Sequence, residues 1–371
     1  MDARILNVML AKGKGGVESM GLRYHEALAA EGFEVVSLGH PKGVLAENLS
    51  GDVFQPLTAL CDRDPFAAFR LAQKIRAFRP HLVLTHGNRA TGLSLMPFVA
   101  GDARTVQVLH NRGYKPHIQR VDAVVCVSAG VRDSLEAAYP SVRPIEVANF
   151  AHLKSHQVKA LPGTRPVIGA LGRLHEVKRF DLLLKSAGML RQRGYDFALK
   201  IAGDGPERET LKAMVAEYGL SDNVEFCGWA ADPKAFLSGL DLFVLSSRSE
   251  GFGLVVIEAM AAGVPVVASD IEGPRDILKA GSLGKLFESG NAVALTNAIG
   301  EVFADWKTAL GQARQAQRHA MQTFGFAAGR ARLGSAIRTI RAQATGRAEA
   351  AGWPALPVAA PAAEFGRFPA E

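Results

Sequence analysis

Short β-branched runs alternate with longer amphipathic stretches along almost all of this 371-residue chain, and they do so in two successive series. That alternation is the mark of parallel βαβ units and limits the chain to an α/β architecture. In the first series the strand candidates are 5–10, 34–38, 81–85, 104–109, 123–127 and 145–147. In the second they are 167–171, 197–202, 224–226, 242–246 and 264–268. Each series reads as its own doubly wound sheet. A chain of this length with 48% hydrophobic residues favours two cores over one. Residues 152–166 between the series are polar, carry the Pro162-Gly163 pair and lack periodicity, so the linker belongs there. The expected domains are 1–155 and 165–325, with a deep cleft between the carboxyl ends of their sheets. Residues 308–347 are rich in Ala, Arg and Gln at helical spacing, and 326–347 is expected to pack back across the first domain. The Ala- and Pro-rich stretch 350–371 is expected to be disordered.

Composition removes several classes of function. The three cysteines, Cys61, Cys126 and Cys227, are isolated and odd in number, which supports neither a four-ligand zinc site nor a disulfide framework. The apolar stretch 5–11 is too short for a secretory leader, and no run approaches the roughly 18 apolar residues that span a bilayer. A cytoplasmic protein, soluble or peripheral on the inner face of the membrane, is expected. The net charge of +7 is concentrated in residues 1–160, which hold 19 Lys and Arg against 14 Asp and Glu. Neither zinc-finger spacing nor an aromatic-basic RNA motif is present, so an anionic membrane or anionic substrate is the expected partner rather than nucleic acid. The stretch 65–79 sharpens this: Leu71, Ile75 and Phe78 form a core stripe, while Phe66, Phe69, Arg70 and Arg76 share the other side. That second side suits either a monolayer-binding face or burial under a neighbouring loop.

The chemistry concentrates in the second half. In 250–258, Glu250-Gly251-Phe252-Gly253-Leu254 leads to Glu258, placing two carboxylates around a glycine-broken turn. The turn lies between an apolar strand and an apolar helix closed by Gly263. Open α/β sheets bind ligands at such strand ends, and the free amides of 251–254 favour an anion there. After the strand 167–171 come Gly172, Arg173 and Lys178 on the same edge. Together these cations can neutralise a departing diphosphate without a metal, or they can be solvated loop charges. Gly203 and Gly205 form a βα turn that can pass beside a nucleotide base or merely connect. In the first half, Gly13, Gly15 and Gly16 follow the first strand and allow close approach of a ligand, although the pattern is neither GxGxxG nor a P-loop. His110 ends the strand 104–109 and can bond a sugar hydroxyl or take a proton, and His86 competes for that role.

Taken in order, Gly15-Gly16-Val17-Glu18, His110, Gly172-Arg173 with Lys178, Gly203-Asp204-Gly205-Pro206 and 250–258 resemble family 4 of the nucleotide-sugar-dependent glycosyltransferases. The resemblance spans roughly residues 4–345. It implies the GT-B architecture of two facing Rossmann-like domains, a donor nucleotide-diphosphate sugar held by the second, and a glycan or glycolipid acceptor held by the first. It also implies retention of anomeric configuration, no metal or other cofactor, and a role in lipopolysaccharide or related surface-glycan synthesis. On this analogy Arg173 and Lys178 grip the diphosphate, Glu258 bonds the ribose, and Glu250 with Gly251, Phe252, Gly253 and Leu254 holds the sugar. Gly16 meets the donor phosphate across the cleft, His110 lies by the reacting carbon, and Gly203 and Gly205 border the donor. One departure stands out: many members follow the interdomain strand with Asn-Gly, whereas here Asn149 precedes Phe150. A nucleotide-sugar epimerase of the same layout, or a binder without turnover, are the competing readings.

Overall fold

The computed structural model describes residues 3–13 and 15–350, with side chains up to Gln343. The residues from 351 onward, where the tail is expected, lie outside the described residues. The described residues form thirteen strands, most of them built on the β-branched runs. β1 Arg4–Met9, β2 Glu34–Gly39, β3 Phe54–Pro56, β4 Leu82–His86, β5 Arg104–Leu109, β6 Ala123–Cys126 and β7 Ile145–Glu146 make the first sheet. β8 Val167–Leu171, β9 Ala198–Ala202, β10 Val224–Gly228, β11 Leu242–Leu245, β12 Val266–Ser269 and β13 Lys285–Phe287 make the second. The orders are β3-β2-β1-β4-β5-β6-β7 and β10-β9-β8-β11-β12-β13, parallel throughout. Two short edge strands, β3 and β13, are additions to the sequence reading. Neither carries a β-branched residue, and Pro56 is tolerated because β3 is an edge.

Each sheet reverses its order once among these described strands, between β1 and β4 in the first and between β8 and β11 in the second. The loops leaving those four strands diverge there and open a crevice at the carboxyl edge. The helix Gly16–Ala30 follows β1, and the helix Leu254–Ala261 follows β11. The latter closes in a Schellman arrangement, with Val264 N–H donating to Ala259 O and Gly263 N–H to Met260 O, and Gly263 at φ 75°.

The stretch 308–347 folds into two helices, the second beginning at Phe326. Trp306–Phe324 packs on Leu254–Ala261, the chain extends at Gly325, and Phe326–Ala350 packs on Gly16–Ala30 of the first half. Arg338 on this last helix pairs with Glu31 at 3.1 Å. One apolar cluster therefore runs through both halves, from Ile5 and Tyr24 to Met260, Phe324 and Ile337. Phe150, the departure after Asn149, is fully buried in that cluster and stacks on Tyr24 with ring centroids 6.0 Å apart. A Cβ on Gly329 would overlap its ring, so the last helix approaches the first half through a glycine fitted to this phenylalanine.

Candidate active site

The loops after β8 and β11 leave adjacent strands, since Leu242 pairs with Ile168 and Phe243 with Gly169. Two further bonds bind the loops together: Ser246 Oγ donates to Lys178 O at 2.9 Å, and Arg248 N–H donates to Val177 O at 2.8 Å. Residues 72 positions apart are thereby brought into contact. Lys178 Nζ lies 2.6 Å from Glu250 Oε1, which also accepts from Ser247 Oγ at 2.7 Å. The side chains of Lys178 and Glu250 keep 24% and 12% of their exposure. This is a partly dry ion pair open to the cleft, where a charge interacts more strongly than in bulk water. Arg173 stands beside it in sequence on the same loop, exposed and without an ion-pair partner among the described residues.

Gly203 and Gly205 have a packing reason of their own. A Cβ on Gly203 would overlap Gly172 O, and one on Gly205 would overlap Leu174 O. Leu174 N–H donates to Asp204 O at 3.0 Å, so the two loops lie backbone against backbone. The glycines thus shape the Arg173 loop.

Glu258, the fifth residue of its helix, does not join Glu250. Its Oε1 lies 3.4 Å from Arg23 Nη2, contributed by the Gly16–Ala30 helix of the opposite half, and Arg23 Nη1 also donates to Phe150 O at 3.4 Å. Burial pushes the Glu258 carboxyl above the usual range, and Arg23 opposes that shift. The two glutamates of the motif therefore have separate settings, one inside the second half and one bridging the halves.

Of the remaining expected residues, Gly16 with Leu254 and Gly251 with His110 lie where the halves touch. A Cβ on Gly16 would come within 3.1 Å of Leu254 Cδ1, and one on Gly251 would overlap the carbonyl oxygen of His110. Ser128 Oγ donates to Gly251 O at 2.8 Å, and Arg112 pairs with Glu272 across the same seam. Gly253 has φ 109°, a conformation that side chains resist, and it begins the helix whose first amides lack intrahelical acceptors. Phe252 is buried, with its ring edge-on to Phe324.

His110 is buried, and its Nε2 lies 2.9 Å from Nδ1 of His86. The two histidines read as rivals in sequence are thus hydrogen-bonded partners. Burial alone pulls His110 down to about 4, and burial with the neighbouring ring takes His86 well below its usual value. Sequence reasoning missed Arg23, Ser128 and Ser247 as well as this partnership. Arg23 resembles any cation on an amphipathic helix until its helix is set against Glu258. The only available signal for the histidines was that both end neighbouring strands.

The model for glycosyltransferase family 4 matches residues 14–149, and that for glycosyl transferases group 1 matches 152–319. The lipopolysaccharide core biosynthesis mannosyltransferase LpcC of Rhizobium leguminosarum bv. viciae is 30% identical over 62% of this chain and 68% of its own length. The chain belongs to glycosyltransferase family 4. The lipopolysaccharide core biosynthesis glycosyltransferase LpsE of Rhizobium meliloti is 27% identical over 78% of this chain and 86% of that protein. Among solved structures, Anabaena HepE in complex with UDP and glucose superposes with a TM-score of 0.77 at 19% identity. It covers 91% of this chain and all, 100%, of HepE. The lipopolysaccharide outer core galactosyltransferase WaaB gives 0.71 at 20% identity over 91% of this chain and 99% of WaaB. The architecture is GT-B, with two Rossmann-like parallel sheets facing a cleft.

Proposed function

We propose that this protein transfers a sugar from a nucleoside-diphosphate sugar to a glycan or glycolipid acceptor, with retention of anomeric configuration, during assembly of lipopolysaccharide core or a related surface glycan. The observation that carries the reading is the Lys178–Glu250 pair at the cleft, on the loop whose Gly251 abuts His110. A group that holds the leaving diphosphate and a group that holds the transferred sugar must stand on either side of the bond that breaks at the anomeric carbon. A lysine and a carboxylate in contact from neighbouring loops can take those two sides once a donor parts them. Lys178 and Arg173 take the diphosphate, Glu250 takes sugar hydroxyls, and Glu258 takes the ribose. In this reading Gly16, Gly203, Gly205 and the 251–254 turn line the donor.

As the bond from the anomeric carbon to the diphosphate oxygen breaks, positive charge develops on the sugar and negative charge on the phosphate. Fixed cations on the phosphate side lower that barrier, each well-placed donor by about 3 kcal/mol. Oε1 of Glu250 already accepts from Lys178 and Ser247, which lowers its readiness to attack carbon. A front-face path fits this carboxylate better: the acceptor oxygen bonds the anomeric carbon from the side the diphosphate leaves, and its proton passes to the diphosphate. The two cations take the part that a metal would otherwise take, so turnover should survive chelation.

The acceptor side adds a second feature. Leu60, Phe66 and Phe69 are 91%, 81% and 54% exposed. Arg63, Arg70 and Arg76 are exposed in the same segment. An anionic bilayer surface is the partner that suits apolar side chains among arginines, and it would hold a lipid-linked acceptor near the cleft. No described helix is long and apolar enough to cross a membrane.

The direct test is turnover from UDP-, GDP-, ADP- and dTDP-sugars with lipid-linked core acceptors, reading released nucleoside diphosphate and the anomeric proton of the product. A retained product, unaffected by EDTA, is expected. Absence of transfer across the panel would sink the reading, and an epimerised nucleotide sugar without transfer would favour the isomerase. Vesicle flotation should fall for a Phe66→Ser, Phe69→Ser variant on anionic lipid, and unchanged flotation would remove the membrane from the account.

A further inference from the structure

Behind His110 a line of buried polar groups runs into the first half, and its hydrogen bonds have only one consistent direction. Asn7 is fully buried, and its Nδ2 lies 2.9 Å from Gly21 O and 2.9 Å from Ser37 Oγ. A carbonyl oxygen can only accept, so this nitrogen is the donor and the orientation of the amide is settled. Oδ1 of Asn7 therefore faces His86 Nε2 at 2.8 Å as an acceptor, which requires the proton of His86 to sit on Nε2. In a neutral ring Nδ1 of His86 is then an acceptor. The atom opposite it, Nε2 of His110 at 2.9 Å, must be the donor. Nδ1 of His110 is left as a lone-pair acceptor, buried and with no partner among the described residues.

Three features hold the line in place. Tyr24 sets its ring edge-on to His86, with centroids 5.1 Å apart, and the two imidazoles lie edge to edge across their hydrogen bond, within 20° of parallel and with centroids 5.1 Å apart. Strands β4 and β5 bring both histidines to one sheet edge. No carboxylate among the described residues bonds either ring, and burial disfavours charge on both, in keeping with the neutral forms.

We propose that Asn7 and His86 are positioning residues that hold His110 as the neutral Nε2-protonated tautomer and so present Nδ1 as a hydrogen-bond acceptor to a hydroxyl of the transferred sugar. This rests on the reading that His110 faces the donor sugar. The chemistry favours it: an imidazolium beside a carbon gaining positive charge would raise the barrier, whereas a neutral acceptor oriented on a sugar hydroxyl adds partial negative charge there.

Two substitutions at one position separate positioning from packing. In His86→Asn the amide oxygen comes near the place of Nδ1 and can still accept from His110. In His86→Gln the longer amide reaches toward Asn7 but leaves His110 Nε2–H without its acceptor. His86→Gln should lower kcat about 10- to 100-fold, as loss of a group orienting a working histidine does, with donor KM changed less than about 3-fold. His86→Asn should stay within about 3-fold of the parent, and equal losses in both variants would contradict the proposal. Ring 15N spectra of the free wild-type protein, labelled at histidine, give an answer independent of turnover. Protonated Nε2 and bare Nδ1 on both His86 and His110 at neutral pH is the expected pattern, and a proton on His110 Nδ1 overturns it. A saturating donor found in the nucleotide-sugar panel should then move the His110 Nδ1 resonance, whereas its nucleoside diphosphate alone should not. An unmoved resonance would likewise overturn the proposal. If no donor binds, the glycosyl-transfer reading has failed, and this proposal fails with it whatever tautomer the spectra show.

Discussion

The two halves of this molecule bring different polar chemistry to the same cleft. The second half offers charge at a rim that water still reaches, with Lys178 2.6 Å from Glu250 and Arg173 exposed nearby. The first half offers a buried, neutral chain in which Asn7, His86 and His110 follow one another at 2.8 and 2.9 Å. Each suits what a glycosyl transfer would put against it. A leaving diphosphate needs fixed cations, and a sugar turning into an oxocarbenium is best served by oriented acceptors that carry no positive charge. Charges at a water-accessible rim can exchange partners when a substrate arrives, whereas a buried neutral chain holds its direction before any ligand is present.

The strongest way to break the contrast is to remove charge from the second half alone. Glu250→Gln should lower kcat by about 10²- to 10³-fold with little change in melting temperature, because the carboxylate's bonds to Lys178 and Ser247 lie in the site and not in the core. A variant within threefold of the parent would take Glu250 out of the chemistry. The next effect concerns how closely the halves approach. Gly251→Ala places a methyl group against the His110 carbonyl, and displacement by about an ångström should cost about 10²-fold in kcat/KM. Full activity there would mean that the closed seam is not the working state.

Arg23→Ala tests the bridge between the halves. It should raise donor KM about 10-fold, in line with loss of a charge-assisted bond worth about 1.5–3 kcal/mol. The loss should deepen toward acid pH. Burial already raises the Glu258 carboxyl, and without Arg23 it rises further, so the carboxylate is lost from the top of its titration downward. A defect independent of pH would show that Arg23 acts by packing only.

The smallest effect is on stability. His110 titrates near 6.5 when unfolded and is pulled to about 4 when folded, and His86 moves the same way. The unfolded chain thus binds more protons between those values. The stability that comes from keeping these rings neutral is complete above about 6.5 and is lost as pH falls toward 4. Melting temperatures across that window should fall less steeply for His110→Asn than for the parent. Parallel curves would contradict the neutral chain.

The sheets were legible because their strands carry β-branched residues, and β3 and β13 were missed because Phe54-Gln55-Pro56 and Lys285-Leu286-Phe287 carry none. Lys178 and Glu250 were legible as candidates, since each follows a strand on one sheet edge. Their direct contact was not, because it depends on β8 and β11 being neighbours although 74 positions separate Ile168 from its partner Leu242. The same limit hid the histidine partnership: His86 and His110 each end a strand, and only the lateral order of β4 and β5 turns two candidates into one device. Glu258 was read with a task separate from that of Glu250, and its pairing with Arg23 was hidden because it depends on how the two halves meet. Phe150, an irregularity in sequence, became intelligible once Gly329 and Tyr24 were seen around its ring.

Lys178 is the residue through which the second half is proposed to hold the donor diphosphate. Calorimetric titration of wild-type protein and Lys178→Ala with the nucleoside mono- and diphosphates of the preferred base tests that role most directly. The diphosphate should bind the wild type more tightly than the monophosphate does, and Lys178→Ala should abolish that preference, weakening the diphosphate by about 10- to 100-fold while leaving the monophosphate nearly unchanged. A preference that survives the substitution intact would place the diphosphate elsewhere and contradict the account.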